Sequence, residues 1–457
     1  MKINRRKFLA NSGALAAGAM ILNPASLMAK DTFQKNKKRI ALVGTGDRGT
    51  SMWGRRVLDN YSDYVEMVGL CDINHGRLEY AKEYIGCSCP VFTNLEQMIK
   101  KQKPDTLIVT TEDSAHHKVI IKGLKMGCNI ITEKPLTIDE KKAQAIIDAE
   151  RSSDKKVIVT FNYRYPPYRA KIKELLMQGL IGDITSVEFQ YYLDDDHLAE
   201  YMRRWHGERT RGGTLWVHKA THHFDMANWF IDSEPEEVYG FAELERFGSN
   251  GPFRGMNCRN CKHTDKCVYY WNIVKDTRKY NMYVKNEEYD GYIRDNCVYR
   301  KQIDIYSKHS AVVKYANGVL LNYSLTGDSD LEGYWLAFNG TKGRLEARVN
   351  GYEEEDKDYN ELTFIPNSKY SNENAKTIKA EHEDGGHWGG DPIMMDKIFK
   401  NPDAPDPLKQ QAGVRDGVMS ILIGIAARNS VETGKPVKIA HLTDLTPMKN
   451  KPCYDMT

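Results

Sequence analysis

Apolar and polar positions follow two different patterns along the chain, and the pattern changes near residue 162. In the first part, short apolar runs are separated by longer stretches with apolar residues at helical spacing. Arg39–Val43, Val65–Cys71, Asp105–Thr110, Asn129–Thr132 and Val157–Phe161 are predicted as strands. Helices are predicted from a glycine turn after the first strand to about Asn60, from Ala115 to Met126 with Gly127 ending it, and from Asp139 to Arg151. Strand–helix repetition of this kind builds a doubly wound parallel sheet. Beyond residue 162 a helical stretch, Tyr168–Gln178, leads to Ile184–Tyr192, which alternates as a strand. Ala311–Tyr315 and Val319–Leu325 flank Asn317-Gly318, a strong hairpin signal. Leu336–Asn339 and Arg344–Val349 flank another glycine turn. The expected architecture is α/β: a parallel-sheet domain over 30–161, then a C-terminal α+β domain over 162–457. The second domain carries a large, mainly antiparallel open sheet that walls a substrate cleft, and a cysteine-bearing insertion around 250–300.

The turns between these elements carry candidate chemistry. Gly44-Thr45-Gly46-Asp47-Arg48-Gly49 lies between the first strand and its helix, the setting that a G-x-G-x-x-G dinucleotide loop requires. Gly44 permits the tight turn, Gly46 lets the backbone approach a pyrophosphate, and Gly49 lets helix and strand pack closely. The helix N-terminus adds free N–H groups and partial positive charge. The first domain therefore reads as a Rossmann domain. Asp72 ends the second strand, where a carboxylate takes both ribose hydroxyls and favours NAD; Arg77 nearby keeps NADP as the lesser alternative. Thr110 to His116 and Glu133-Lys134-Pro135 sit at later strand ends, where ligands of such sheets bind. Lys134 is placed to hold a substrate hydroxyl and help carry its proton, or else to close the turn by a salt bridge. Thr110, His116, Glu133 and Asn162 complete the candidate cofactor contacts; His116 reads equally as a core or capping histidine.

These motifs, taken in order, resemble the glucose–fructose oxidoreductase, inositol dehydrogenase and rhizopine-catabolism (Gfo/Idh/MocA) family of NAD(P)-dependent sugar enzymes. The resemblance rests on the glycine loop, Asp72, the His116 segment, Glu133-Lys134-Pro135 and Phe161-Asn162-Tyr163-Arg164-Tyr165. Gly212-Gly213-Thr214-Leu215, Thr221-His222-His223-Phe224-Asp225 and Gly385-Gly386-His387-Trp388-Gly389-Gly390-Asp391 complete it. It implies that Lys134 sits beside the nicotinamide. It also implies a family Asp/His pair, four residues apart, at positions 218 and 222. Here the pair is His218 and His222, with Lys219 beside the first, so the base assignment is open among them. His218–Asp225 reads as one helix presenting both imidazoles on one face, with His222 as the base and metal binding ranked low. Tyr163, Arg164, Trp216, His223 and His387 are the candidate sugar contacts. A homo-oligomer is expected, as in similar proteins.

Composition excludes several classes. Over 457 residues, 65 basic and 62 acidic side chains give a formal +3, too balanced for a nucleic-acid groove. No apolar run is long enough to span a membrane. Asn4-Arg5-Arg6-Lys7-Phe8-Leu9, followed by the modest apolar run Ala14–Leu22, reads as a twin-arginine export signal over 1–29, with a general secretory signal or a basic tail as the rival readings. Removing that segment takes away Lys2, Arg5, Arg6 and Lys7 and no acid, so the +3 becomes −1, a balance suited to a neutral sugar. Export by the twin-arginine machinery to the periplasm implies a cofactor loaded beforehand and regenerated in place. Two reactions satisfy this: oxidation of one sugar coupled to reduction of a second carbonyl, or glycoside cleavage through transient oxidation, elimination and re-reduction. A non-catalytic sugar-binding protein is the third reading. Cys258-x2-Cys261-x5-Cys267 with Cys297 suits a structural zinc site pinning the insertion, with two disulfides as the rival and an iron–sulfur centre as a remainder. Cys71, Cys87, Cys89, Cys128 and Cys453 stand apart from that cluster.

Overall fold

The computed structural model describes residues 37–350, 359–381, 383 and 385–450; the expected export segment and Cys453 lie outside them. Six strands form the first sheet: β1 (Lys38–Val43), β2 (Val65–Cys71), β3 (Val91–Phe92), β4 (Thr106–Val109), β5 (Asn129–Thr132) and β6 (Val157–Val159). They pair in parallel in the order β3-β2-β1-β4-β5-β6. Every residue of β4 is buried, as a parallel strand covered on both faces requires. The order reverses between β1 and β4, and ligands of doubly wound sheets bind in the crevice at that point.

The second sheet has nine strands. They are β7 (Ile184–Asp194), β8 (Pro235–Glu243), β9 (Lys308–Tyr315), β10 (Leu320–Ser329), β11 (Gly333–Gly340), β12 (Gly343–Asn350), β13 (Tyr359–Pro366), β14 (Lys376–Glu381) and β15 (Val437–Lys438). Their order is β14-β13-β12-β11-β7-β10-β9-β8-β15, and only β7 and β10 run parallel. The Asn317-Gly318 hairpin joins β9 to β10 as expected, with Gly318 at φ +92°, a left-handed conformation suited to glycine. Residues of β9 alternate strictly between exposed and buried, so one face of the sheet packs and the other is open.

Helix Val414–Thr433 ties the two sheets together. A Cβ on its Gly417 would lie 3.1 Å from Leu136 and Val159 of the first sheet's layer. A Cβ on Gly424 would lie 2.7 Å from the Trp216 carbonyl oxygen. Both glycines allow close backbone approach, so the helix packs tightly on both sides. No helix among the described residues is long and apolar enough to cross a membrane.

Two elements differ from the sequence expectation. The insertion is mostly turns, but it carries a helix at Thr277–Met282 and a 3-10 stretch at Val284–Tyr289. The expected single helix over 218–225 is two: Leu215–His218, then Thr221–Ile231. The break has a local cause. The His222 N–H bonds to the Lys219 carbonyl at 3.3 Å instead of reaching back to His218. The freed His218 carbonyl accepts from Lys134 Nζ at 3.2 Å, so a side chain 84 residues away ends the helix.

Candidate active site

The glycine loop follows β1 with the geometry its sequence implies. A Cβ on Gly44 (φ +98°) would sit 2.6 Å from the Thr110 backbone, and one on Gly49 only 2.2 Å from the Gly44 carbonyl. Thr110 seals the turn by donating its hydroxyl to the Gly44 carbonyl at 2.6 Å. Gly46 is different: among the described residues beyond its chain neighbours, an added Cβ would meet within 4 Å the Tyr283 hydroxyl alone, 3.6 Å away, across the groove. This is a cradle whose open side a pyrophosphate fits. Asp72 ends β2 and accepts from the Thr45 N–H (2.7 Å), the Thr45 hydroxyl (3.0 Å) and the Asn74 N–H (2.9 Å). Arg77 bridges Asp72 (3.2 Å) and Asp290 (2.5 Å), and so is committed to two carboxylates.

Several expected cofactor contacts serve as bracing. His116 is buried with its ring nitrogens at 2.8 Å from the Pro135 carbonyl and 3.1 Å from the Thr111 carbonyl. Glu133 accepts from Trp53 Nε1 and from Arg48 Nε, both at 2.7 Å. Burial works against its charge, but Arg48 and these donors hold its carboxyl below the usual range. Arg48 also meets Asp391 at 3.3 Å, and Asp391 accepts from Asn162 Nδ2 at 2.6 Å and pairs with His387 Nδ1 at 3.0 Å. The glycine loop is thereby tied to the first turn of helix Gly390–Phe399. His387 and Trp388 both take positive φ, +56° and +55°, a strained turn that aims the His387 ring at Tyr163, 5.9 Å away.

The proton chemistry gathers where β4 and β5 end. Lys134 Nζ bonds to the His218 carbonyl, and His218 Nδ1 lies 2.5 Å from Asp113 Oδ2. Asp113 comes from the turn after β4 and His218 from helix Leu215–His218, so both domains contribute to the cluster. Burial pushes Lys134 down to about 8, against the charges of Asp113 and Glu133. Burial drives Asp113 up, against Lys134. Burial, then Lys134 and Arg204, drive His218 well below its ordinary value. Burial thus opposes the charge of each group, while Asp113 and Lys134 favour each other's charge. His206 packs edge-on to His218 with ring centroids 4.1 Å apart.

His222 stacks face to face on Tyr163, centroids 4.1 Å apart and planes at 14°, and among the described residues its Nδ1 has no hydrogen-bond partner. Burial and then Lys134 push its pKa well down. Lys219 faces Glu332 at 3.6 Å and lies 4.8 Å over the Tyr191 ring. His223 donates to or accepts from the Tyr323 hydroxyl at 2.8 Å and stacks on Tyr191 at 4.1 Å.

Two expected sugar contacts do not face the cleft. Trp216 is fully buried, packed edge-on to Tyr306 and His309 beneath the second sheet, so no ring face is open to a ligand. Arg164 is consumed by a buried bidentate pair with Asp225 (2.7 and 2.5 Å), with Asp416 at 3.0 Å on the other side. The expected base, His222, lacks an orienting carboxylate; His218 has one in Asp113. The motif Thr110 to His116 contained Asp113 all along, directly after a buried strand. No sequence signal marks Glu332, which reaches Lys219 from the turn between β10 and β11.

The four cysteines of the insertion line one small cavity, and all eight described cysteines are free thiols. A tetrahedral zinc site places sulfurs about 3.8 Å apart, from Zn–S bonds of about 2.3 Å. Among the described residues, the trio of His, Cys, Asp or Glu with ligand atoms within 4.8 Å of one another is Asp194, His197 and Glu332, with no cysteine in it. The arrangement of Cys258, Cys261, Cys267 and Cys297 therefore does not support the expected zinc centre, and the rival disulfides are not formed.

Comparison with known proteins agrees with this architecture. An oxidoreductase-family NAD-binding Rossmann fold matches residues 38–161, and the same family's C-terminal alpha/beta domain matches 173–439. YteT of Bacillus subtilis, a protein named as an oxidoreductase, is 34% identical over 433 residues, covering 89% of this chain and 98% of that one. A glycosyl hydrolase family 109 protein of Akkermansia muciniphila is 27% identical over 164 residues, 34% of each chain. Levoglucosan dehydrogenase, solved with NADH and levoglucosan, superimposes with a TM-score of 0.64 at 18% identity over 88% of this chain and 99% of that one. With the nucleotide loop and the second sheet both matched, the chain belongs to the Gfo/Idh/MocA family of NAD-binding oxidoreductases.

Proposed function

We propose that this protein is an NAD-dependent oxidoreductase acting on a secondary hydroxyl of a sugar or glycoside. The observation that carries the reading is the buried Asp113–His218–Lys134 cluster at the carboxyl ends of β4 and β5. Bound nicotinamide supplies the hydride acceptor. Lys134, as an ammonium, donates a hydrogen bond to the carbinol oxygen and steadies its developing negative charge. His218, held through Nδ1 by Asp113, offers Nε2 to take the hydroxyl proton. Asp113 stabilises the imidazolium that results. Tyr163, His222 and His387 form the adjoining wall, where a ring face and imidazole edges suit a sugar. NAD is preferred to NADP because a 2′-phosphate near Arg77 meets Asp72 and Asp290 on the guanidinium it needs.

The similarity to a glycosyl hydrolase family 109 protein favours a second reading, glycoside cleavage by transient oxidation, elimination and re-reduction. The same three groups serve its first step. In either reading, the paired arginines Arg5-Arg6 support export with the cofactor bound, so that it is recycled in place. A panel of free sugars and glycosides, followed at once for nicotinamide reduction and for sugar release, tests the assignment. Reduction without release is the expected result. Release without net reduction establishes the glycosidase, and neither outcome with any panel member refutes both.

A further inference from the structure

The stretch of the insertion from Asp276 to Asp290 takes no part in the proton chemistry. It packs on the glycine loop through Tyr283 and on helix His75–Ile85 through Asn286. The Asp47 N–H, in the pyrophosphate loop itself, donates to the Tyr283 hydroxyl at 2.9 Å. That hydroxyl is also what faces the open side of Gly46. Tyr283 is only 9% exposed, and among the described residues its O–H proton has no protein acceptor. A buried hydroxyl that accepts from the glycine loop and has its own proton to give is missing an acceptor-only partner. A pyrophosphate oxygen is such a partner, and it is the group this loop is built to hold.

The charges around it agree. Asp47 would repel a diphosphate, but the insertion neutralises it twice, with Lys279 at 2.6 Å and with Arg278. The segment is pinned at its far end as well. Asn74 Nδ2 donates to the Asn286 carbonyl at 2.8 Å. A Cβ on Gly76 would lie 2.1 Å from Asn286 Oδ1, so the insertion sits on helix His75–Ile85 as closely as only glycine allows. Arg77 then joins Asp72 to Asp290.

We propose that Asp276–Asp290 is the outer wall of the pyrophosphate site, with the Tyr283 hydroxyl donating to a phosphate oxygen, and that this clasp makes the bound dinucleotide slow to leave. It rests on the nucleotide half of the functional reading and on nothing about the sugar. Burial pushes the Tyr283 phenol up, so it remains a donor throughout the working range of pH. Release requires the segment to lift, which breaks the Asp47, Asn74 and Arg77 contacts together.

The test uses the full chain, stripped of nucleotide and reloaded. Binding of NAD, ADP and adenosine is measured for the parent, Tyr283→Phe and Arg278→Gln, with NAD release followed by competition and folding checked by thermal unfolding. Tyr283→Phe should weaken NAD and ADP about tenfold, the scale of one hydrogen bond to a charged group, and leave adenosine unchanged. Both variants should release NAD faster at an unaltered melting temperature. Equal affinity and equal release in all three proteins overturns the clasp while leaving the oxidoreductase intact. Equal losses for adenosine and ADP also overturn it, since that marks a general distortion of the groove. A parent that binds none of the three ligands removes the nucleotide reading and the clasp with it.

Discussion

Two buried charge clusters, one within the C-terminal domain and one across both domains, are built to opposite rules. In one, Arg164 pairs with Asp225 and Asp416 and gives another donor to the Lys409 carbonyl at 3.0 Å. Burial opposes its charge, yet these carboxylates hold its pKa above the ordinary value. In the other, Lys134 has a backbone carbonyl at 3.2 Å and, among the described residues, no carboxylate in direct contact, and burial pulls it down to about 8. Asp113 is driven up and His218 down in the same place. A satisfied buried ion pair is architecture. A buried set in which burial opposes every charge and no full ion pair offsets it is where protons move at little cost, and such sets gather at functional sites.

The comparison breaks most visibly at Arg164. Arg164→Ala leaves Asp225 buried without its cation and should cost about 3–5 kcal/mol, read from urea unfolding. Retained stability would place this cluster with the other. Lys134→Met should do the reverse. Its midpoint of unfolding should be unchanged or higher, since a poorly compensated buried ammonium is removed. Turnover of any active sugar should fall about 10²–10⁴-fold, the usual contribution of a positioned proton-transfer group. A third, smaller effect sharpens the assignment. Lys134 is an ammonium below about pH 8 and neutral above it. Activity at saturating substrate should therefore decline as pH rises through that value, and the declining limb should be absent from the residual rate of Lys134→Met. A limb that persists in the variant belongs to another group.

How far the sequence discloses these clusters depends on the range of the contacts. The glycine loop, Asp72 and the Asn317-Gly318 hairpin are encoded within a few residues each, and the structure places them as their patterns imply. The helix over 218–225 is a continuous pattern in sequence but is interrupted in space, because Lys134 takes the carbonyl that helix continuation needs. Asp113 and His218 are 105 residues apart, so their pairing has no local trace. Arg164 and Trp216 stand in motifs beside ligand-facing residues, yet packing against helix Val414–Thr433 and the second sheet buries both. Charge and aromaticity mark residues able to bind a sugar; only the long-range packing decides which of them face one.

The central claim is that Asp113, His218 and Lys134 carry out proton transfer coupled to nicotinamide reduction. Its most direct measurement is a single turnover of NAD-loaded protein with an active sugar, following absorbance of the reduced nicotinamide, in the parent, Lys134→Met and His218→Asn. The account predicts rapid reduction in the parent and at least about 10²-fold slower reduction in both variants, with NAD still bound. Reduction at the parental rate in either variant would contradict it.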